Sequence, residues 1–219
     1  MGLPAIHKWL AIGGRADQDR AMSQRQGILL VVSGPSGSGK TTLCRRLANA
    51  GEAHYSISCT TRAPREGEVD GRDYHFLSKE EFQQRIERGE FLEHAQVHGN
   101  YYGSLISEVL HHVDHGTDVV MDIDVQGAAQ VRSCKDATIQ HARVDLFVMP
   151  PSGDELRTRL SGRGTDTEDV IDLRMKNALE EMQSWDLYEY VLNSADMEED
   201  YARFLSLVVA ERMRVSRMG

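Results

Sequence analysis

The 219 residues, 40% of them hydrophobic, suffice for one α/β domain of ordinary size with small insertions. A chain this long removes roughly 70% of its unfolded surface from water, so neither disulfides nor a structural metal are needed to hold it folded. Cys44, Cys59 and Cys134 are odd in number, widely spaced and without a CxxC pair, which argues against a disulfide framework or a zinc site and suits a reducing cytoplasm. The formal net charge of -9 excludes broad electrostatic adhesion to nucleic acid or anionic membrane, so any anionic ligand must be held by a local cluster.

No stretch reaches the ~18 consecutive apolar residues of a membrane span, and the first residues lack the apolar run and cleavage site of a secretory signal. Gly2 fits a myristoylation motif, but Ile6 stands where that motif needs Ser or Thr. Acidic Asp17 and Asp19 among Lys8, Arg15, Arg20 and Arg25 argue against a transit peptide, so residues 1–26 read as a disordered extension, with Met22 an alternative start. The branched run Ile28 to Val32 predicts a strand buried on both faces of a parallel sheet. A glycine-rich segment follows at once, and beyond it Leu43 with Leu47 and Cys44 with Ala48 recur at helical spacing. The segment Ser56 to Phe76 predicts a small antiparallel insertion rather than a helix. Further strands are expected at Val119–Asp124, Val144–Met149 and Tyr188–Asn193, with capping-box helix starts at Ser78/Glu81, Ser152/Glu155 and Thr165/Glu168. His94, His98, His111, His112 and His115 form no metal-binding pattern; helical surface positions account for most of them and no metal is assigned.

Gly34-Pro35-Ser36-Gly37-Ser38-Gly39-Lys40-Thr41 satisfies the Walker A pattern between a predicted strand and a predicted helix. Such a match arises by chance in a chain of this length on the order of 1% of the time. The glycines let backbone N–H groups wrap phosphate oxygens while the next helix presents its positive end. Lys40 is placed to reach the β and γ phosphates, Thr41 to put its hydroxyl on Mg2+, and Thr42 to cap or bond a phosphate oxygen. A P-loop alone does not separate a kinase from a GTPase or a scaffold. Asp124-Val125-Gln126-Gly127 matches the GTPase DxxG, but the nearest NKxD candidate, Asn193-Ser194-Ala195-Asp196, lacks the lysine that covers guanine.

Arg62 and Arg65 flank Pro64 in an acidic protein, and by themselves belong to a solvated charged loop as readily as to a site. Tyr74 and the run Tyr101-Tyr102-Gly103-Ser104 could add hydroxyl donors to the same phosphate, with the two guanidinium forks suited to a monophosphate dianion.

Taken in order, Ser58 to Tyr74, Glu93, Gly99 to Ser104, Asp122 to Gly127 and Gly162-Arg163-Gly164-Thr165 resemble the guanylate kinases, from about residue 28 to the C-terminus. The resemblance implies an α/β P-loop NTPase-type core with a parallel sheet flanked by helices (27–57, 107–157 and 186–219), a small mixed or antiparallel GMP-binding insertion (58–106) and a helical lid (158–185). It implies that Arg62, Arg65, Tyr74 and Tyr102 grip the phosphate of GMP, while Ser58, Glu93, Ser104 and Asp124 read the guanine. A carboxylate accepts from guanine N1–H and N2–H, whereas adenine would leave it unpaired. Without the family, Glu93 reads as a surface helix residue. Asp122 and Asp124 straddle Ile123 and are expected on one face at a strand's carboxyl end, where two buried carboxylates call for a cation or donors; Asp122 would orient Mg2+ through water. Arg159, Arg163 and Arg174 correspond to lid arginines acting on the transition state, hinged by Gly162 and Gly164, and Asn193 touches the adenine. Cys59 departs from the family's common serine, and a thiol reagent reaching it would block the acceptor pocket. The reading is therefore ATP:GMP phosphotransfer with Mg2+ and ATP as co-substrate, GMP or dGMP as acceptor, and no nucleic-acid, membrane or obligate protein partner, in a cytoplasmic monomer or homodimer. The alternatives are an inactive guanylate-kinase-like binding module, which intact Lys40, Thr41, Arg62 and Arg65 oppose, and a same-fold kinase for another phosphorylated acceptor.

Overall fold

The computed structural model describes residues 25–161 and 167–218. Residues 1–24 of the expected N-terminal extension, and Gly162, Arg163, Gly164 and Thr165, lie outside the described residues. Arg25 and Gln26 belong to the folded body rather than to that extension: Arg25 pairs with Asp118 at 2.6 Å, and the Gln26 N–H donates to the Arg217 carbonyl at 3.2 Å.

In chain order the first half runs β1 (Leu29–Ser33), α1 (Lys40–Asn49), β2 (His54–Tyr55), β3 (Cys59–Thr60), β4 (His75–Phe76), α2 (Lys79–Glu87), β5 (Phe91–Val97), β6 (Asn100–Leu105) and α3 (Ile106–Val113). The second half runs β7 (Val119–Asp122), α4 (Val125–Ser133), α5 (Ala137–Ala142), β8 (Arg143–Met149), α6 (Gly153–Ser161), α7 (Glu168–Met182), β9 (Tyr190–Asn193) and α8 (Met197–Arg212), with short 3-10 turns at Trp185–Leu187 and Val215–Arg217. Among the described residues no helix is long and apolar enough to cross a membrane.

The main sheet is five-stranded and parallel, in the order β2-β7-β1-β8-β9. Its centre is β1, every residue of which is buried, as a run of branched residues covered on both faces requires. Alternate residues face opposite layers. Ile28, Leu30 and Val32 pack with Leu43, Cys44 and Leu47 of α1 and Phe204 and Val208 of α8. Leu29 and Val31 pack with Val109 and Val113 of α3, Ala128 and Val131 of α4, and Ile139 and Ala142 of α5. Each such side chain contributes roughly 1.5–3 kcal/mol by leaving water. Because β1 lies between β7 and β8, the loop after it opens at the carboxyl edge where the connections diverge, the usual crevice for a ligand in such sheets.

The second sheet, ordered β4-β3-β6-β5, is mixed. The antiparallel expectation for Ser56 to Phe76 is corrected here: β3 pairs parallel with β4 and antiparallel with β6. Strands β5 and β6 form a hairpin through His98 and Gly99, with φ of 49° and 80°, the left-handed pair that a two-residue turn needs. His94 therefore sits on a strand and His98 in a turn, not on a helix. Phe82 of α2 stacks on Phe91 and Tyr101, seating the helix on this sheet.

Ser78 and Ser152 cap α2 and α6 by accepting from the N–H groups of Glu81 and Glu155. The third predicted start is displaced: α7 begins at Glu168 with Thr167 at its cap, not from Thr165. Helices α6 and α7 share their own small core of Leu156, Leu160 and Ala178. Across the opposite end of the molecule, Arg212 bonds Asp118 at 2.7 Å and Glu52 at 2.8 Å. Asp118 also accepts from the Ile28 N–H at 2.9 Å, so its fully buried carboxylate is satisfied from three directions.

Candidate active site

The loop from Gly34 to Gly39 leaves β1 and enters α1 through Gly34, Gly37 and Gly39 at φ of 144°, 87° and 97°. Gly34 cannot be replaced: a Cβ there would stand 2.4 Å from the Val148 carbonyl oxygen. The Ser38 N–H donates back to the Pro35 carbonyl at 3.1 Å, closing the loop. Gly39 caps α1 without a side chain and the first turn carries no acidic residue, so the helix's first N–H groups and its positive end are left for an anion. Ser38 Oγ is buried without a hydrogen-bond partner among the described residues. Ser36, Lys40, Thr41 and Thr42 open onto a cavity of about 410 Å³, walled on the far side by Arg159 and Met197. Lys40 Nζ lies 3.4 Å from the Pro35 carbonyl.

Two features of this cavity bear on a cation and on the expected lid arginines. The Thr41 hydroxyl donates to the Asp122 carboxylate at the end of β7. Arg159 of α6 pairs with Glu155 at 3.0 Å and directs its other nitrogen to the Gly37 carbonyl at 3.5 Å, so it faces the phosphate loop. Arg174 lies half-buried on α7, and Arg163 is outside the described residues. Asn193, at the exposed end of β9, is not brought into this cavity; it lines a separate groove of about 220 Å³ with Leu146, Arg203 and Phe204.

The expectation that Asp122 and Asp124 share one buried face is corrected. Asp122 is half-buried toward Thr41, whereas Asp124 is exposed and becomes the cap of α4, accepting from the Gly127 N–H at 2.8 Å. The strand ends at Asp122, so the alternation that would align the pair stops between them.

The structure also sets aside the reading that Glu93 would have without the family resemblance. Glu93 lies on β5, only 7% exposed, not on a surface helix. The Ser104 hydroxyl donates to Glu93 Oε1 at 2.8 Å, and Ser58 Oγ lies 3.3 Å from Ser104 Oγ, so Ser58, Ser104 and Glu93 form a continuous polar line between β3, β6 and β5. Burial, only partly offset by the Ser104 bond and reinforced by the negative charge of Asp124, pushes the Glu93 carboxyl up to about 7. A buried carboxylate bonded only by Ser104 among the described residues is poised for further N–H donors. Gly127 gives it room, since a Cβ there would stand 3.2 Å from Glu93 Oε2.

Beside it, Arg62, Tyr74 and Tyr102 converge. The Arg62 guanidinium lies 5.5 Å from the Tyr74 ring centroid, and the Tyr74 and Tyr102 rings are 6.2 Å apart. The fork of Arg62 is engaged, donating to Glu68 and to the Ala63 carbonyl, each at 2.8 Å. Glu68 also accepts the Arg65 N–H at 2.7 Å, and Arg62, with that N–H, holds its carboxyl below the usual range. Arg65 is exposed.

Sequence reasoning missed two carboxylates. Glu68 organises both arginines, and the signal was available in its position six residues after Arg62. Glu181 of α7 has an oxygen buried without a partner among the described residues, and burial, with Lys40 opposing and Asp124 adding, raises its carboxyl. Nothing in its local sequence marks it, because Lys40, whose charge it feels, lies far away along the chain. Cys59 is fully buried and its thiol is pushed up to about 12 by burial, so the expected route for a thiol reagent into the acceptor pocket is closed.

Comparison with known proteins agrees with this geometry. A family model described as guanylate kinase matches residues 26–211. A guanylate kinase of Ruegeria pomeroyi is 45% identical over 194 residues, covering 88% of this chain and 90% of the relative. One from Clostridium tetani is 41% identical over 194 residues, with the same shares of each chain. The crystal structure of guanylate kinase from Anaplasma phagocytophilum superposes with a TM-score of 0.69 at 34% identity, over 89% of this chain and 90% of that one. A phosphate loop facing a second sheet that buries a carboxylate, in a chain matched by that family along most of its length, leaves one assignment: this chain belongs to the guanylate kinase family.

Proposed function

We propose that the two halves of the cleft divide the reaction between them: Mg-ATP on the phosphate loop, GMP or dGMP on the second sheet, and transfer of the γ-phosphoryl to give ADP and GDP or dGDP. The protein is an ATP:GMP phosphotransferase, a nucleoside monophosphate kinase. The observation that carries the division of labour is Glu93, buried with Ser104 and Ser58 across the second sheet. Its carboxylate accepts guanine N1–H and N2–H, and Asp124 adds a second acceptor beside it. Arg62 exchanges Glu68 for the acceptor phosphate, joined by Arg65, Tyr74 and Tyr102.

On the donor side, the backbone of Gly34 to Gly39 and the start of α1 cradle the phosphates, Lys40 and Thr42 bind their oxygens, and Arg159, Arg163 and Arg174 bring positive charge from the lid. Thr41 and Asp122, oxygen donors already joined beside the loop, fit a hard cation. Mg2+ bound with ATP by these two residues would supply positive charge to offset that of the phosphates. No side chain is needed as a general base, since positioning and electrostatic stabilisation dominate phosphoryl transfer. Residues 58–106 act as the acceptor-binding insertion and 158–185 as the lid that excludes water, in a cytoplasmic enzyme.

The test is the fate of labelled γ-phosphate. With ATP and GMP the label is expected in GDP; label released as inorganic phosphate, or retained in ATP despite measurable GMP binding, would contradict phosphotransfer.

A further inference from the structure

The second sheet is joined to the core by two passages: out from β2 through Ser56 and Ile57, and back from β6 into α3. Glu108 of α3 ties them together. It accepts from Ser56 Oγ at 2.8 Å and from the Ile57 N–H at 3.1 Å, and it lies 2.9 Å from His54 Nε2. One helical turn further on, His112 lays its ring over that of His54, the centroids 3.7 Å apart and the planes 23° from parallel. Hydrogen bonding accounts for His54 and Glu108 but not for His112, neither nitrogen of which has a hydrogen bond among the described residues. One ligating atom from each of His54, Glu108 and His112 lies within 4.8 Å of those of the other two.

We propose that His54, Glu108 and His112 bind a divalent transition metal of the zinc class at this joint, apart from the nucleotide cleft. Two imidazoles and a carboxylate are a donor set that zinc accepts, leaving a fourth position for water. The carboxylate is already oriented by Ser56 and the Ile57 N–H, as ligating groups are by their outer partners. Bonds of roughly 2.0–2.1 Å in a tetrahedron put ligands about 3.3 Å apart, so no edge of the triangle need contract by more than about 1.5 Å. The metal takes the place of the proton that His54 shares with Glu108 and relieves the face-to-face stacking. The two ligands on α3 stand at i and i+4, on one face. His54 comes from the outgoing passage and the other two from the returning one, so occupancy adds a metal bond across the joint. Absence of a CxxC or HExxH motif is why sequence spacing did not find it: one ligand is 54 residues away from the next.

The test is titration of the untagged, nucleotide-free full chain with Zn2+ by calorimetry and with Co2+ by visible absorption. Wild type is expected to bind one equivalent, with the intense bands of tetrahedral Co2+. His54→Gln, which keeps a hydrogen bond to Glu108, and His112→Asn are each expected to weaken binding at least tenfold and abolish the bands. His111→Asn and His115→Asn, changes at exposed histidines on the same stretch, are expected to leave both unchanged. Binding by wild type no tighter than by His54→Gln, or a loss that follows His111 and His115 instead, would overturn the site.

Discussion

Glu93 is the residue on which the proposed reading of guanine turns. In the free protein its carboxyl is pushed from an ordinary value of 4.5 up to about 7 by burial, so the folded state holds a proton that the unfolded chain has released. Stability from this group is therefore complete below about pH 4.5 and is lost as the pH rises through about 7, on the order of 3 kcal/mol in all. Glu93→Gln should flatten that part of the stability profile, measured by thermal unfolding from pH 5 to 8 at about unit steps. Binding of guanine demands the opposite protonation state, because only the ionised carboxylate accepts both N–H groups. For wild type, kcat/KM for GMP should thus climb as the pH passes about 7, while Glu93→Gln should show a flat and at least ~100-fold lower profile. A variant with unchanged kcat/KM would remove Glu93 from guanine recognition.

At the scale of elements, the phosphate loop and its flanks were readable because the pattern is local: a branched run, glycines where positive φ is needed, then helical spacing. Leu29–Ser33 and Lys40–Asn49 follow that reading closely. The hairpin of β5 and β6 was not readable, since Glu93, His94 and Gln96 interrupt any alternation and the pairing partner is set by the turn at His98 and Gly99. The fates of Asp122 and Asp124 likewise depend on where β7 stops, a tertiary decision. Helices α6 and α7 form a unit with a core of its own, so their stability is separable from that of the sheet. Leu160→Ala should cost ~2–5 kcal/mol locally. Hydrogen exchange is expected to quicken across Gly153–Ser161 and Glu168–Met182 while β1 and β8 stay protected; uniform acceleration would show instead that these helices and the sheet unfold together.

For the molecule as a whole, the Walker A loop and the segments resembling guanylate kinases carried fold and function, whereas the seams that close the fold were invisible. Arg212 is the example: its partners Glu52 and Asp118 lie far along the chain, and only the folded structure puts a fully buried carboxylate between it and Arg25. Arg212→Ala should destabilise by about 1–3 kcal/mol, because it leaves one oxygen of the buried Asp118 carboxylate without its partner while Arg25 and the Ile28 N–H still hold the other, and lower Tm by roughly 2–10 °C. Asp118→Asn in the same background should recover part of that loss; no recovery would mean that packing of the Arg212 stem, not charge, dominates.

The measurement that bears most directly on the central claim is ADP formation from Mg-ATP with GMP, AMP, UMP and CMP in turn, beside Lys40→Ala. Turnover with GMP alone is predicted, reduced by at least ~100-fold in the variant. Equal turnover with AMP, or activity that survives loss of Lys40, would contradict the assignment of guanine to the second sheet and of ATP to the phosphate loop.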